Sequence, residues 1–325
     1  MEVFRCPDCA AAAPFRALAC VCGATLTWAP DARGFAADAA FCANRDAAAC
    51  NWAAEGEGAL CRACAMTRTL PDLGVGDNRA LWREAELAKR WVLANLMRWG
   101  WFTRTSRFAP PVFDLLCEAG AYGPTEVSMG HAEGVVTINV AEADPAVREA
   151  RRAELGERYR TMTGHFRHEL GHYLFGRLWT LDGFIGAFRE TFGDERADYA
   201  AALGRHYEMG PPPDWAARHV TPYASAHPHE DWAETVAHLL HLTDIADSAI
   251  AVGLSVPALR LAPPTFDPWD AADAEPGLTI AMDFALAANA VNRAMGLPDL
   301  YPFVVGPAAR AKLGFARDWL RRGGG

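Results

Sequence analysis

His168-Glu169-Leu170-Gly171-His172 sets two imidazoles four residues apart around a glutamate. On a helix, residues i and i+4 share a face, so both rings can reach one Zn²⁺, with Glu169 beside it as general base for an attacking water. A zinc site built for hydrolysis needs a third protein ligand and an open fourth position. Two downstream stretches offer that ligand, Asp194-Glu195-Arg196-Ala197-Asp198 and Glu230-Asp231-Trp232-Ala233-Glu234, each with acids four apart and each expected on a helix face. Glu230 is the favoured third ligand. Tyr223 lies seven residues before it, in the turn leading in, where a phenol could donate to the oxyanion formed at a peptide carbonyl. Glu234, one turn on, would accept from the free ring N–H of His168 or His172 as an outer partner. Asp194, Glu195 and Glu234 stand as alternative third ligands, and the acids that do not bind are ordinary ion-pairing or solvated groups.

The remaining histidines divide by position. His165 reads as a polar residue early in the motif helix, and His227 and His229 either contact substrate or serve the loop before Glu230. His238 and His241 continue the face of Glu234 but move away along the helix axis, so they read as structural.

Eight of the nine cysteines fall within the first 64 residues. Clustered cysteine pairs in an intracellular protein point to metal rather than to disulfides. Cys6, Cys9, Cys20 and Cys22 can hold one structural zinc, and Cys42, Cys50, Cys61 and Cys64 another. Interleaved pairing and a single occupied site also satisfy the spacing, because Cys20-Val-Cys22 has one residue where a zinc knuckle usually has two. So short a segment buries little apolar surface, and metal would supply much of its folding energy. Cys117 stands alone in an apolar context and reads as a buried core thiol.

The elements that must carry these groups follow from periodicity. Residues 1 to about 70 show little helical pattern, and a Gly-containing linker runs from Pro71 to Asp77. Asn78 reads as the N-cap of an amphipathic helix to about Trp99. Residues 125–129 and 134–140 read as a short antiparallel pair around a turn from Gly130 to Glu133. The pattern of residues 134–140 would suit a cleft rim pairing with extended substrate, or a covered sheet edge. Helices are predicted over about 145–155, 158–178 (the motif helix), 190–206, 230–242 and 278–295. Pro211-Pro212-Pro213 and Pro263-Pro264 mark breaks.

A chain of 325 residues with 51% apolar and 22% charged residues has ample core for one large or two unequal domains. A net charge of −9 argues against a general binder of nucleic acid or of anionic membranes. No stretch reaches the roughly 18 apolar residues of a membrane span, and no leader pattern opens the chain, so a cytoplasmic location is expected. There is no GxSxG elbow, Cys117 has no identified histidine partner, and Gly74-Val-Gly76 is too short for a nucleotide fingerprint.

The order of His168-Glu169-x-x-His172, Tyr223 and Glu230-x-x-x-Glu234 resembles the gluzincin arrangement of the Mlc titration factor A peptidases and of anthrax lethal factor. In those relatives the tyrosine stands seven residues before the ligating glutamate, and the second glutamate supports the ligands. The whole chain resembles more closely the bacterial Mx-type zinc-binding metallopeptidase family, which carries an N-terminal zinc ribbon. The similar stretches are Cys61–Leu70, Gly164–His172, Phe192–Tyr199, Tyr223–Glu234 and Met295–Pro302.

Taken together, the expectation is an α+β protein: a zinc ribbon over residues 1–70 and a mostly helical, zincin-like domain with a small sheet over 71–325. It would hydrolyse peptide bonds with one catalytic zinc on His168, His172 and Glu230, one or two structural zincs, and a peptide or protein as substrate. The ribbon could also take a protein partner. The competing reading is a catalytically idle zinc-binding module that docks a protein or nucleic acid through the ribbon. Glu169 discriminates, since a purely structural His-His-acid site has no use for a base there.

Overall fold

The computed structural model describes residues 3–255, 267–270 and 274–325. These fall into two compact units, Val3–Glu169 and Leu170–Gly325.

The first unit opens with short hairpins. Strands β1 (Phe4–Arg5) and β2 (Ala12–Ala13) pair antiparallel, as do β3 (Thr27–Ala29) and β4 (Gly34–Ala36). Single-turn helices α1 (Arg45–Ala48) and α2 (Arg62–Ala65) follow. Strands of two or three residues bury little by themselves, and aromatic rings fill the gap. Phe4, Phe15 and Trp28 pack edge to face, and Trp28 meets Trp52 at 4.9 Å. Phe15 then contacts Trp91 at 4.7 Å, which seats this segment on the long helix α3 (Asn78–Met97).

Strand β5 (Thr67–Thr69) precedes α3, and β6 (Val112–Leu116), β7 (Gly130–Ala132) and β8 (Val135–Asn139) follow it. The four form one sheet in the order β5-β6-β8-β7, parallel except for the β7–β8 hairpin. Two sequence expectations change here. The predicted strand at 125–129 has no regular structure, and the hairpin arm is β7. Its two-residue turn is Glu133-Gly134, both at positive φ (50° and 84°), the conformation that matches the twist of paired strands. Strand β8 is covered on both edges, by β6 and β7, so it has no free edge to offer an extended chain.

Asn78 is also not the cap expected of it. Its side chain donates instead to the Asp72 and Ala119 carbonyls, 2.9 Å each, tying the linker to the loop after β6. Cys117 in that loop is partly exposed rather than buried.

A 3₁₀ turn (Val140–Ala143) leads into α4 (Pro145–Glu154), whose N-terminus is capped by the Asp144 carboxylate with Pro145 at its first position. Helix α5 (Met162–Leu178) follows.

The second unit is helical: α6 (Phe184–Phe192), α7 (Tyr199–Met209), α8 (Trp215–Arg218), a 3₁₀ turn (Tyr223–Ser225), α9 (Pro228–Ala251), α10 (Ala274–Ala294) and α11 (Pro307–Gly324). The single helix predicted over 190–206 is two. Gly193, at φ 100°, ends α6, and Asp198 caps α7 by accepting from the Ala201 N–H. Helix α9 starts earlier and ends later than 230–242, because it is buried around most of its circumference and lacks the polar stripe that marks a boundary. The predicted break at Pro263-Pro264 lies outside the described residues. Trp232 is fully buried at the centre of this unit, ringed by Phe184, Phe188, Phe192 and Phe315. The α+β class follows from three small sheets confined to the first unit and from helices that carry the second.

Candidate metal centre

The site depends on how closely α5 and α9 approach. A Cβ built on Gly171 would stand 3.0 Å from the Ala233 Cα and 3.2 Å from its carbonyl oxygen, so only glycine lets the backbones meet there. The Trp232 indole N–H donates to the Gly171 carbonyl at 2.9 Å, fixing the rotation of one helix against the other. The start of α9 is fixed as well. His227 Nδ1 accepts from the His229 N–H, and its Nε2–H donates to the Ala197 carbonyl, both at 3.1 Å. His227, buried at 3% exposure, is therefore a cap rather than a group facing substrate. Asp231 accepts from Lys312 at 2.6 Å and lies 3.1 Å from His219, which pins α11 to the same turn.

Within this frame His172 Nε2 lies 3.5 Å from Glu230 Oε1, with His168 one turn earlier on the same helix. One ligand atom from each of His168, His172 and Glu230 falls within 4.8 Å of the other two. Zinc bonds of 2.0–2.1 Å at tetrahedral angles require donors about 3.4 Å apart, so the His172–Glu230 separation already has the required span. Two nitrogens and a carboxylate oxygen are also the donor chemistry that zinc takes in sites with an open position. Glu169 supplies a second sign of fit. It is 8% exposed, and its Oε2 has no hydrogen-bond partner among the described residues, although a buried polar atom normally has one.

Burial pushes the Tyr223 phenol far above its ordinary pKa, with the Glu230 and Tyr207 groups adding to the effect, so it stays protonated and able to donate. Burial likewise pushes His229 down to about 4, reinforced by His227 and His172, and its neutral ring packs on Phe175 at 4.6 Å.

The alternative third ligands have side-chain partners of their own. The Asp194 segment is a loop, not a helix face, because Gly193 ends α6 before it. Asp194 is taken by Arg196 at 2.7 Å, and that pairing depresses its pKa. Glu195 is taken by Arg189. Neither belongs to the cluster of donors around His172. Glu234 accepts from the Thr221 hydroxyl at 2.7 Å. His165 is engaged by Glu142 at 2.8 Å, and this buried carboxylate also receives Arg151 and Arg160. His238 bonds the Tyr301 hydroxyl at 2.8 Å, in line with a structural role. Sequence reasoning missed Tyr199, whose hydroxyl donates to Glu230 Oε1 at 2.5 Å. Its sequence signals are its place right after the capping Asp198 and at the end of the Phe192–Tyr199 stretch.

The cysteines gather in sequential sets. Cys6, Cys9, Cys20 and Cys22 form one cluster and Cys42, Cys50, Cys61 and Cys64 another, so interleaved pairing does not occur. The two differ in setting. Cys9 and Cys22 are exposed, whereas all four members of the second set are buried. That set sits beside α3, whose buried Lys89 and Arg90 would offset the charge of metal-bound thiolates.

Comparison with known proteins adds to this geometry. The profile of a family described as "Putative zinc-binding metallo-peptidase" matches residues 78–319, and that of a zinc-ribbon domain matches residues 33–75. Uncharacterized proteins of Mycobacterium tuberculosis (strain H37Rv) and Mycobacterium bovis are each 37% identical over 324 residues, covering 97% of this chain and 94% of theirs. No solved structure matches.

Proposed function

The chain belongs to this zinc-binding metallo-peptidase family, and on that premise we propose that it is a cytoplasmic, gluzincin-like enzyme that hydrolyses peptide bonds. His168, His172 and Glu230 would hold the catalytic metal. Zinc held there would supply Lewis acidity, polarising the scissile carbonyl and acidifying an attacking water. Glu169 takes the proton of that water and returns it to the leaving amine. Tyr223, kept protonated by burial, donates to the oxyanion. Glu234 supports the ligand histidines. Residues 1–70 act as a zinc ribbon with a structural zinc on each cysteine set and a surface for a protein partner. Residues 71–325 are the peptidase domain. These functional segments need not follow packing units, since the ribbon rests on α3.

The observation that carries this reading is Glu169: a buried carboxylate with an unpartnered oxygen, between two imidazoles that converge with Glu230. A purely structural zinc site would gain nothing from burying such a group. The test is cleavage of a quenched-fluorescent peptide library by zinc-loaded wild type and by Glu169→Gln. The reading expects cleavage by wild type and a loss of about 10²–10⁴-fold in the variant, with zinc retained. Equal cleavage by both proteins would remove Glu169 from the chemistry. No cleavage by wild type of full zinc content would favour the idle binding module.

A further inference from the structure

Helix α7 touches the metal centre through its first turn, at a residue to which nothing above gives a role. Tyr199, the first residue of α7, is 43% exposed, yet its hydroxyl reaches a carboxylate that is 1% exposed. Water could satisfy that phenol, whereas the Glu230 carboxylate has little access to water and must be held by protein or metal. The contact is also built from both sides. Asp198 caps α7 through the Ala201 N–H, the Ala197 carbonyl accepts from His227, and the Tyr199 ring packs edge-on against His227 at 5.2 Å. His227 is itself the cap of α9, so the first turn of α7 is fixed to the first turn of α9 on either side of the Tyr199–Glu230 bond.

We propose that Tyr199 is a positioning residue for the metal-binding carboxylate: its O–H fixes Glu230 in the rotamer that stands 3.5 Å from His172 Nε2. A carboxylate oxygen has two lone pairs. The phenol takes one on Oε1 and leaves the other for a cation beside His172. Without the phenol, the glutamate can turn about its side-chain torsions, and its approach to the metal is no longer set in advance.

This inference rests on Glu230 as a ligand, and the experiment separates the two claims. Full-length wild type, Tyr199→Phe and Glu230→Ala are titrated with Zn²⁺ against a chromophoric chelator, and the Co²⁺-substituted proteins are examined by visible absorption. Phenylalanine keeps the ring against His227, and thermal unfolding followed by the near-UV signal of the buried Trp232 reports that the helical unit of the variant is folded. Tyr199→Phe is expected to weaken zinc binding at the histidine site by about 10–100-fold, to shift the Co²⁺ bands, and to leave the cysteine sites untouched. Wild-type affinity and an unchanged Co²⁺ spectrum in a folded Tyr199→Phe would overturn the role of Tyr199. Full zinc retention by Glu230→Ala would overturn the ligand assignment itself, and this inference with it.

Discussion

Gly171→Ala inserts one methyl group where α5 and α9 touch, and it should act on metal binding more than on folding. The added Cβ would meet the Ala233 Cα at 3.0 Å, against an ordinary carbon contact of about 3.5–4.0 Å, so the helices must part locally by about 0.5–1 Å. Gly171 precedes His172, and Ala233 lies one turn from Glu230, so the displacement falls on the 3.5 Å His172–Glu230 separation. Zinc sites tolerate only about 0.2 Å in ligand distance, so a shift of this size cannot be absorbed without loss. Overpacking costs about 1–3 kcal/mol, and replacing a helical glycine by alanine returns about 1 kcal/mol, so the net loss of stability stays within about 2 kcal/mol. The assay is zinc affinity by chelator competition, paired with thermal unfolding of the same samples. The expected result is a large loss of zinc at one site with a small change in Tm. A Gly171→Ala protein that binds zinc as wild type does would refute the idea that close backbone approach positions the centre.

Other outcomes follow from charge and from the cysteine sets. Burial alone would raise the Glu142 pKa, but His165, Arg160 and Arg151 outweigh it and hold the carboxylate well below the ordinary range. A depressed folded pKa contributes stability above the ordinary value of about 4.3 and loses it as pH falls toward the folded value. Glu142→Gln should therefore lower Tm at pH 7, with about 3–5 kcal/mol lost, and the gap to wild type should close in acid; a gap that is constant with pH would contradict the ion-pair account. Cys50 is fully buried and Cys9 exposed, so Cys50→Ser should unfold the ribbon and perturb Trp28 and Trp52 fluorescence, whereas Cys9→Ser should affect only the first cysteine set. Equal spectral changes in both variants would show that the two sets are not independent.

The parts of the site legible in sequence are those set by local periodicity. His168, Glu169 and His172 follow from i, i+4 spacing on one helix, and Glu230 from its place in the first turn of α9. The break at Gly193 was hidden because helical patterns flank it on both sides, and only the positive φ of one glycine separates α6 from α7. The parallel pairing of β5 with β6 was hidden for a different reason. Its partners are joined through α3, and strands of three and five residues carry almost no pattern of their own. Tyr199 reaches Glu230 across 31 residues, and Gly171 meets Ala233 across the α5–α9 contact. No spacing rule encodes such contacts, which arise only once tertiary packing is fixed.

The central claim is that His168, His172 and Glu230 share one zinc that is distinct from those on the cysteines. Elemental analysis of purified wild type, His168→Ala, Glu230→Ala and Glu234→Ala tests it most directly. Three clusters predict three zinc ions in wild type, one fewer in His168→Ala and in Glu230→Ala, and the full number in Glu234→Ala. Unchanged zinc in His168→Ala would contradict the account, because the histidine pair would then hold no metal.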